Sequence, residues 1–169
     1  MRFLAVSSVQ YAVLTRLRLA PGPDLALTGA FASGTLFPVR LFRVTDAVPR
    51  AYVVAASGAS VLPDGVPTLN RMALAAFDPR RHLVLERAVW SDAEAAAKPD
   101  QAAEDAGAAR ILRHEALRVE VEARAAVPSY LVLTDTYTAD WKVEVDGSSA
   151  PLLRANQMFR AVPLAPGPH

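Results

Sequence analysis

The chain of 169 residues contains no cysteine. That excludes a disulfide framework, a thiolate metal site and a thiol nucleophile. It does not fix the compartment. Charge of one sign is also missing: the net charge is +1, and Arg16, Arg18, Arg40, Arg43, Arg50, Arg71, Arg110 and Arg113 are scattered. No basic groove for nucleic acid is implied. No apolar run approaches the roughly 18–20 residues that span a bilayer. The start, residues 1–9, has a short apolar core, and Gln10, Arg16 and Arg18 follow it. It reads as a short helix over 2–9 rather than as a signal peptide. His82, His114 and His169 lie far apart, without metal-ligand spacing. Ser57-Gly58-Ala59-Ser60 lacks the elbow of a serine hydrolase, and Ala32-Ser33-Gly34-Thr35 is a turn rather than a phosphate loop. No cofactor and no metal are implied.

Hydrophobic residues make up 52% of the chain and charged residues 21%, which is globular composition. Thirteen prolines and eight glycines suit a turn-rich β protein. Alternation predicts a strand over 11–19, then a turn at Pro21-Gly22-Pro23-Asp24. Residues 25–31 and 39–44 read as two strands joined through Ser33-Gly34, and Tyr52-Val53-Val54 begins another. Thr68 is placed to cap a helix over 69–77, with Leu69, Met72, Ala73 and Ala76 on one face. A strand is expected over 82–89. Residues 91–107 are rich in Ala, Asp and Glu and read as a linker or long loop, in which the alanines can support a turn of helix.

The clearest alternation runs over 117–124, where Leu117, Val119, Val121 and Ala123 oppose Arg118, Glu120, Glu122 and Arg124. That is a strand with one wet face. Residues 130–133 are apolar on both faces and so central. Trp141, Val143 and Val145 alternate with Lys142, Glu144 and Asp146, and Asp146-Gly147 turns the chain into Pro151-Leu152-Leu153. A last strand covers 158–164. The expected fold is mostly β, α+β overall. A small α+β lobe (1–90) would precede an antiparallel β-sandwich or jelly-roll-like half (108–169).

The candidate functional residues lie in the last third. Tyr137 and Trp141 have the faces to stack on a sugar ring, or they form an apolar corner. Arg154, Asn156 and Arg160 suit an anionic sugar or a lipid phosphate, or they hold that corner by backbone hydrogen bonds. Asp135 and Asp140, with Glu144 and Asp146, form the best acidic cluster, for acid–base work or Ca²⁺; structural turn and strand roles are the plainer reading.

Several segments together resemble the C-terminal extracytoplasmic region of the YfhO-like bacterial membrane proteins, relatives of the GT-C glycosyltransferases. They are Leu133-Thr134-Asp135, Tyr137 to Trp141, Val145-Asp146-Gly147, Arg154-Ala155-Asn156, Phe159-Arg160-Ala161-Val162 and Gly167-Pro168-His169. Upstream, Val9-Gln10-Tyr11-Ala12-Val13-Leu14, Val39-Arg40-Leu41-Phe42, Val48 to Val54 and Phe77-Asp78-Pro79-Arg80 are similar to that family too. Ala139-Asp140 stands where the family carries Pro-Gly before the Trp. The resemblance implies a non-catalytic accessory domain on the extracytoplasmic face of the bacterial cell membrane. Its partners would be the membrane-embedded part of its own parent and a cell-envelope glycan. The parent would transfer sugar from a polyprenyl-phosphate donor to a cell-surface polymer or lipid. The resemblance also implies a fragment, with a further strand and a membrane helix after His169. A stand-alone carbohydrate-binding module and a ligand-free β interaction domain are the rival expectations.

Overall fold

The structure, a computed structural model, describes residues 7–14, 25–31, 39–96 and 106–169. Most of the expected 2–9 helix, the second half of the 11–19 strand, the turns at 21–24 and 33–34, and most of the 91–107 linker lie outside the described residues. The fold is mostly β, and its strands pair antiparallel with one parallel exception, 59–61 beside 83–85. The chain divides into two compact units, residues 1–49 and 50–169.

The first unit is a three-stranded sheet of β1 (Tyr11–Leu14), β2 (Leu25–Phe31) and β3 (Val39–Val44), in the order β1-β3-β2. Its β2–β3 register slips between Leu27 and Gly29. One apolar face gathers Leu25, Phe42 and Val44. Alternation in β3 buries Phe42 and Val44 while Arg43 stays wet.

The second unit holds a six-stranded sheet ordered β4-β9-β13-β12-β6-β5. Its strands are β4 (Ala51–Ala55), β5 (Ala59–Val61), β6 (Leu83–Leu85), β9 (Ser129–Leu133), β12 (Leu153–Ala155) and β13 (Phe159–Leu164). Here the structure corrects the expected division into 1–90 and 108–169. Strands 51–85 pair directly with strands 129–164, so the boundary falls at Pro49/Arg50. The reason is physical. β4 and β6 are buried along their whole length, and buried strands need ladder partners on an apolar sheet. β9, apolar on both faces, lies centrally between β4 and β13.

A second sheet, β14-β8-β7, consists of β7 (Gly107–His114), β8 (Val119–Ala125) and β14 (Gly167–Pro168). Gly107, expected in the linker, opens β7. A ribbon of β10 (Val143–Val145) and β11 (Ser148–Ala150) turns at Asp146-Gly147, both at positive φ (52° and 78°). That is the backbone of a two-residue hairpin loop, which an Asp-Gly pair adopts readily. Ala123 and Ala125 of β8 pack on Leu164 of β13, and Ala106 and Val127 pack on Val53 and Ala55 of β4. Burying Leu164 alone contributes roughly 1.5–3 kcal/mol.

Two local expectations are corrected, and the turn of helix allowed within 91–107 is present. Helix α1 covers Val66–Ala73, starting earlier than expected, with Gly65 as its cap. Pro67 in its first turn suits that start. Thr68 lies inside it and donates its hydroxyl to the Pro63 carbonyl at 2.9 Å. The buried stripe is Thr68 and Met72, while Leu69 is 44% exposed. The strand expected over 82–89 is only β6: the Glu86 N–H still reaches the Arg154 carbonyl, but the Arg154 N–H donates to the Glu86 carboxylate instead of its backbone carbonyl, and the ladder ends there. Within 91–107, a short helix α2 (Asp92–Ala95) is held by a reciprocal cap between Ser91 and Glu94. Among the described residues no helix is long and apolar enough to cross a membrane.

Candidate functional site

Small residues bring the two sheets of the second unit together at one end. Farther along, β8 and the β9–β13 face stand apart over a cleft of about 620 Å³. Val119 and Val121 line one wall and Leu131, Leu133 and Val162 the other; Trp141 and Arg160 also border it, as does His169. The volume is in the range of small-ligand sites, and most of the wall is apolar.

Trp141 and Arg160 form one unit. The guanidinium carbon of Arg160 sits 4.0 Å from the Trp141 ring centroid, a cation–π contact. Arg160 Nε donates to the Thr136 carbonyl at 2.9 Å. The residue is only 9% exposed, and burial lowers its pKa, partly offset by the nearby Asp135 carboxylate. Arginine stays charged under these conditions. Asp140 borders the same cleft and is exposed.

Asp135 is occupied elsewhere. It accepts from Arg50 Nε and Nη2 at 2.9 and 2.7 Å, and His114 Nε2 lies 3.0 Å from its other oxygen. Burial alone pushes its carboxyl pKa up. The hydrogen bonds from His114 and Arg50 outweigh that and hold it below the usual value. Arg50 and His114 were not expected beside it. They stand 85 and 21 residues away in sequence, so no local pattern points to the cluster. Among the described residues no three His, Asp or Glu side chains converge as metal ligands.

The remaining candidates separate from the cleft. Arg154 stacks over Tyr137 at 5.0 Å and forms an ion pair with Asp64. Asn156 is fully buried, and its Oδ1 accepts from the Val84 N–H at 3.0 Å. It cannot touch a ligand, because the β12–β13 turn it makes is folded into the sheet. The structure therefore brings Trp141, Arg160 and Asp140 to one cleft, pairs Tyr137 with Arg154 outside it, and assigns Asn156 to the core.

His169 ties the end of β14 down. Its Nδ1 lies 2.8 Å from Asp146 Oδ2 and its Nε2 2.8 Å from the Ala165 carbonyl. Two acceptors favour the imidazolium, which donates to both. Burial opposes the charge, but the Ala165 and Asp146 bonds prevail and raise the pKa. A raised folded pKa gives stability that is complete below the unfolded value of about 6.5 and is lost as pH rises through the folded value. The urea midpoint of the wild type should therefore fall relative to His169→Gln as pH climbs above about 6.5. Parallel midpoints for the two proteins across that range would remove the assigned role.

A search of known protein families finds none that matches this chain, and neither curated proteins nor solved structures give a match.

Proposed function

We propose that this chain is a non-catalytic extracytoplasmic accessory domain of a YfhO-like, GT-C-type membrane glycosyltransferase. The parent moves sugar from a polyprenyl-phosphate donor to a cell-surface polymer or lipid. The domain's part is to present the Trp141–Arg160 cleft to the acceptor. One observation carries the reading: the residues of the resembling segments touch one another. Arg160 stacks on Trp141, Arg154 stacks on Tyr137, and His169 binds Asp146, all within the second unit. Mutual contact gives a physical reason for those residue types to occur together and in that order. A stand-alone carbohydrate-binding module is the weaker reading, since a guanidinium already covers one face of each ring.

The absence of cysteine supplies the test. A Ser149→Cys change places a thiol on an exposed strand of the ribbon. In the native parent, this site should react with a membrane-impermeant maleimide in intact cells. The reading frame around it should encode apolar stretches of about 20 residues. Labelling only after the membrane is permeabilised, or a frame without such stretches, defeats the reading.

A further inference from the structure

The loop between α1 and β6 is tied through one residue. The Asp78 carbonyl accepts from the Arg81 and His82 N–H groups at 3.0 and 2.7 Å, and Asp78 Oδ1 accepts from the Arg80 N–H at 2.9 Å. The Asp78 N–H closes the loop by donating to His82 Nδ1 at 2.9 Å. A backbone N–H can only donate. Nδ1 must therefore offer its lone pair, so the ring is neutral with its hydrogen on Nε2. An imidazolium carries hydrogens on both nitrogens and cannot take this bond.

The surroundings add a second cost to the charged ring. The His82 ring centroid lies 5.7 Å from that of Phe77, which is 3% exposed. Arg71 of α1 lies over the same Phe77 ring, and Arg80 and Arg81 belong to the loop itself. Against these three cations stands the Asp78 carboxylate, 4.0 Å from Arg81 Nε. The Arg81 carbonyl packs so closely on Gly58 that no side chain would fit between them. Neither Gly58 nor β6 brings a charge.

We propose that His82 is an acid-sensitive clasp. With the ring neutral, residues 78–82 stay closed against Gly58 and help to cover Phe77. Taking up a proton breaks the Asp78 bond and adds a fourth cation, and the loop opens. The inference stands on this bond geometry and is independent of the family resemblance.

The test follows the Asp78 amide and the His82 ring of the whole chain by NMR between about pH 8 and about pH 5. At the upper end the ring nitrogens should report the Nε2–H tautomer. Protection of the Asp78 amide, corrected for the intrinsic pH dependence of exchange, should fall about fivefold or more on acidification, as for the loss of one hydrogen bond. Val132 in the central strand should keep its protection. His82→Asn offers an oxygen near the position of Nδ1 and does not titrate, so protection should stay high throughout. His82→Phe keeps a ring and lacks the acceptor, so protection should be low throughout. Asp78→Asn should retain the fall, which separates the imidazole from the Asp78 carboxylate. An Nδ1–H tautomer at the upper end overturns the proposal, whichever variants fold. So does protection that stays flat, or that rises with acid because an imidazolium binds the carboxylate. A fall of equal size in His82→Asn overturns it as well.

Discussion

Replacing Asn156 by alanine is expected to lower the unfolding free energy by about 2–4 kcal/mol. Two effects add. Asn156 sits at φ +47°, in the left-handed region, where asparagine is tolerated and alanine costs about 1–2 kcal/mol. Its side chain also replaces a strand carbonyl. The Asn156 N–H donates to the Val84 carbonyl at 2.8 Å, and the Val84 N–H donates to Asn156 Oδ1 at 3.0 Å. The chain turns away at this point, so the backbone carbonyl is no longer available, and the amide oxygen completes the ladder. Losing it orphans a buried N–H, at a cost of about 1–3 kcal/mol. Asn156→Gly separates the effects, since glycine keeps the conformation and loses only the acceptor. Urea unfolding should rank wild type above Gly and Gly above Ala. Equal, small losses for both would show that Val84 finds another acceptor. The site is already strained for polar groups. Among the described residues the buried Tyr52 hydroxyl and Asn156 Nδ2 find no partner of hydrogen-bond geometry, and burial pushes the Tyr52 pKa up, with the neighbouring Asn156 amide offsetting part of the rise.

The sequence is legible where the cause is local. The Asp146-Gly147 hairpin, the alternation of β8 and the two apolar faces of β9 each follow from a few adjacent residues, and the structure has all three, except that β8 opens only at Val119 and Leu117, expected on its apolar face, lies exposed in the bend before it. Asn156 is recognisable as a turn residue for the same reason. That its amide stands in for a carbonyl facing Val84 is not recognisable, because the partner is 72 residues away. The division of the chain fails for a related reason. Composition marks 91–107 as a break, yet strand pairing joins β4 and β6 to β9 and β12 across it. At α1 a tertiary choice wins. Burial of Thr68 and Met72 sets the inward stripe, and Leu69, the more apolar residue, is left partly exposed. Of the candidate site, Trp141 and Arg160 were recognisable by residue type. The cleft beside them arises only from the distance between two sheets.

Gly107→Ala is expected to cost about 2–4 kcal/mol, although the added group is a single methyl. Gly107 has φ +138°, and a Cβ there would lie 1.9 Å from the Arg124 carbonyl oxygen. That obstacle is backbone within the paired strand, so no side chain can swing aside. Relief requires β7 and β8 to part at Gly107↔Ala125 and Ala108↔Arg124. Gly147→Ala is the control. Its φ is +78°, but nothing lies within 4 Å of the added carbon, so only the conformational cost of about 1–2 kcal/mol applies. Denaturant titration should therefore separate the two variants clearly, and amide exchange at Ala108 should accelerate in Gly107→Ala alone. Similar losses for both would mean that β7 shifts without strain.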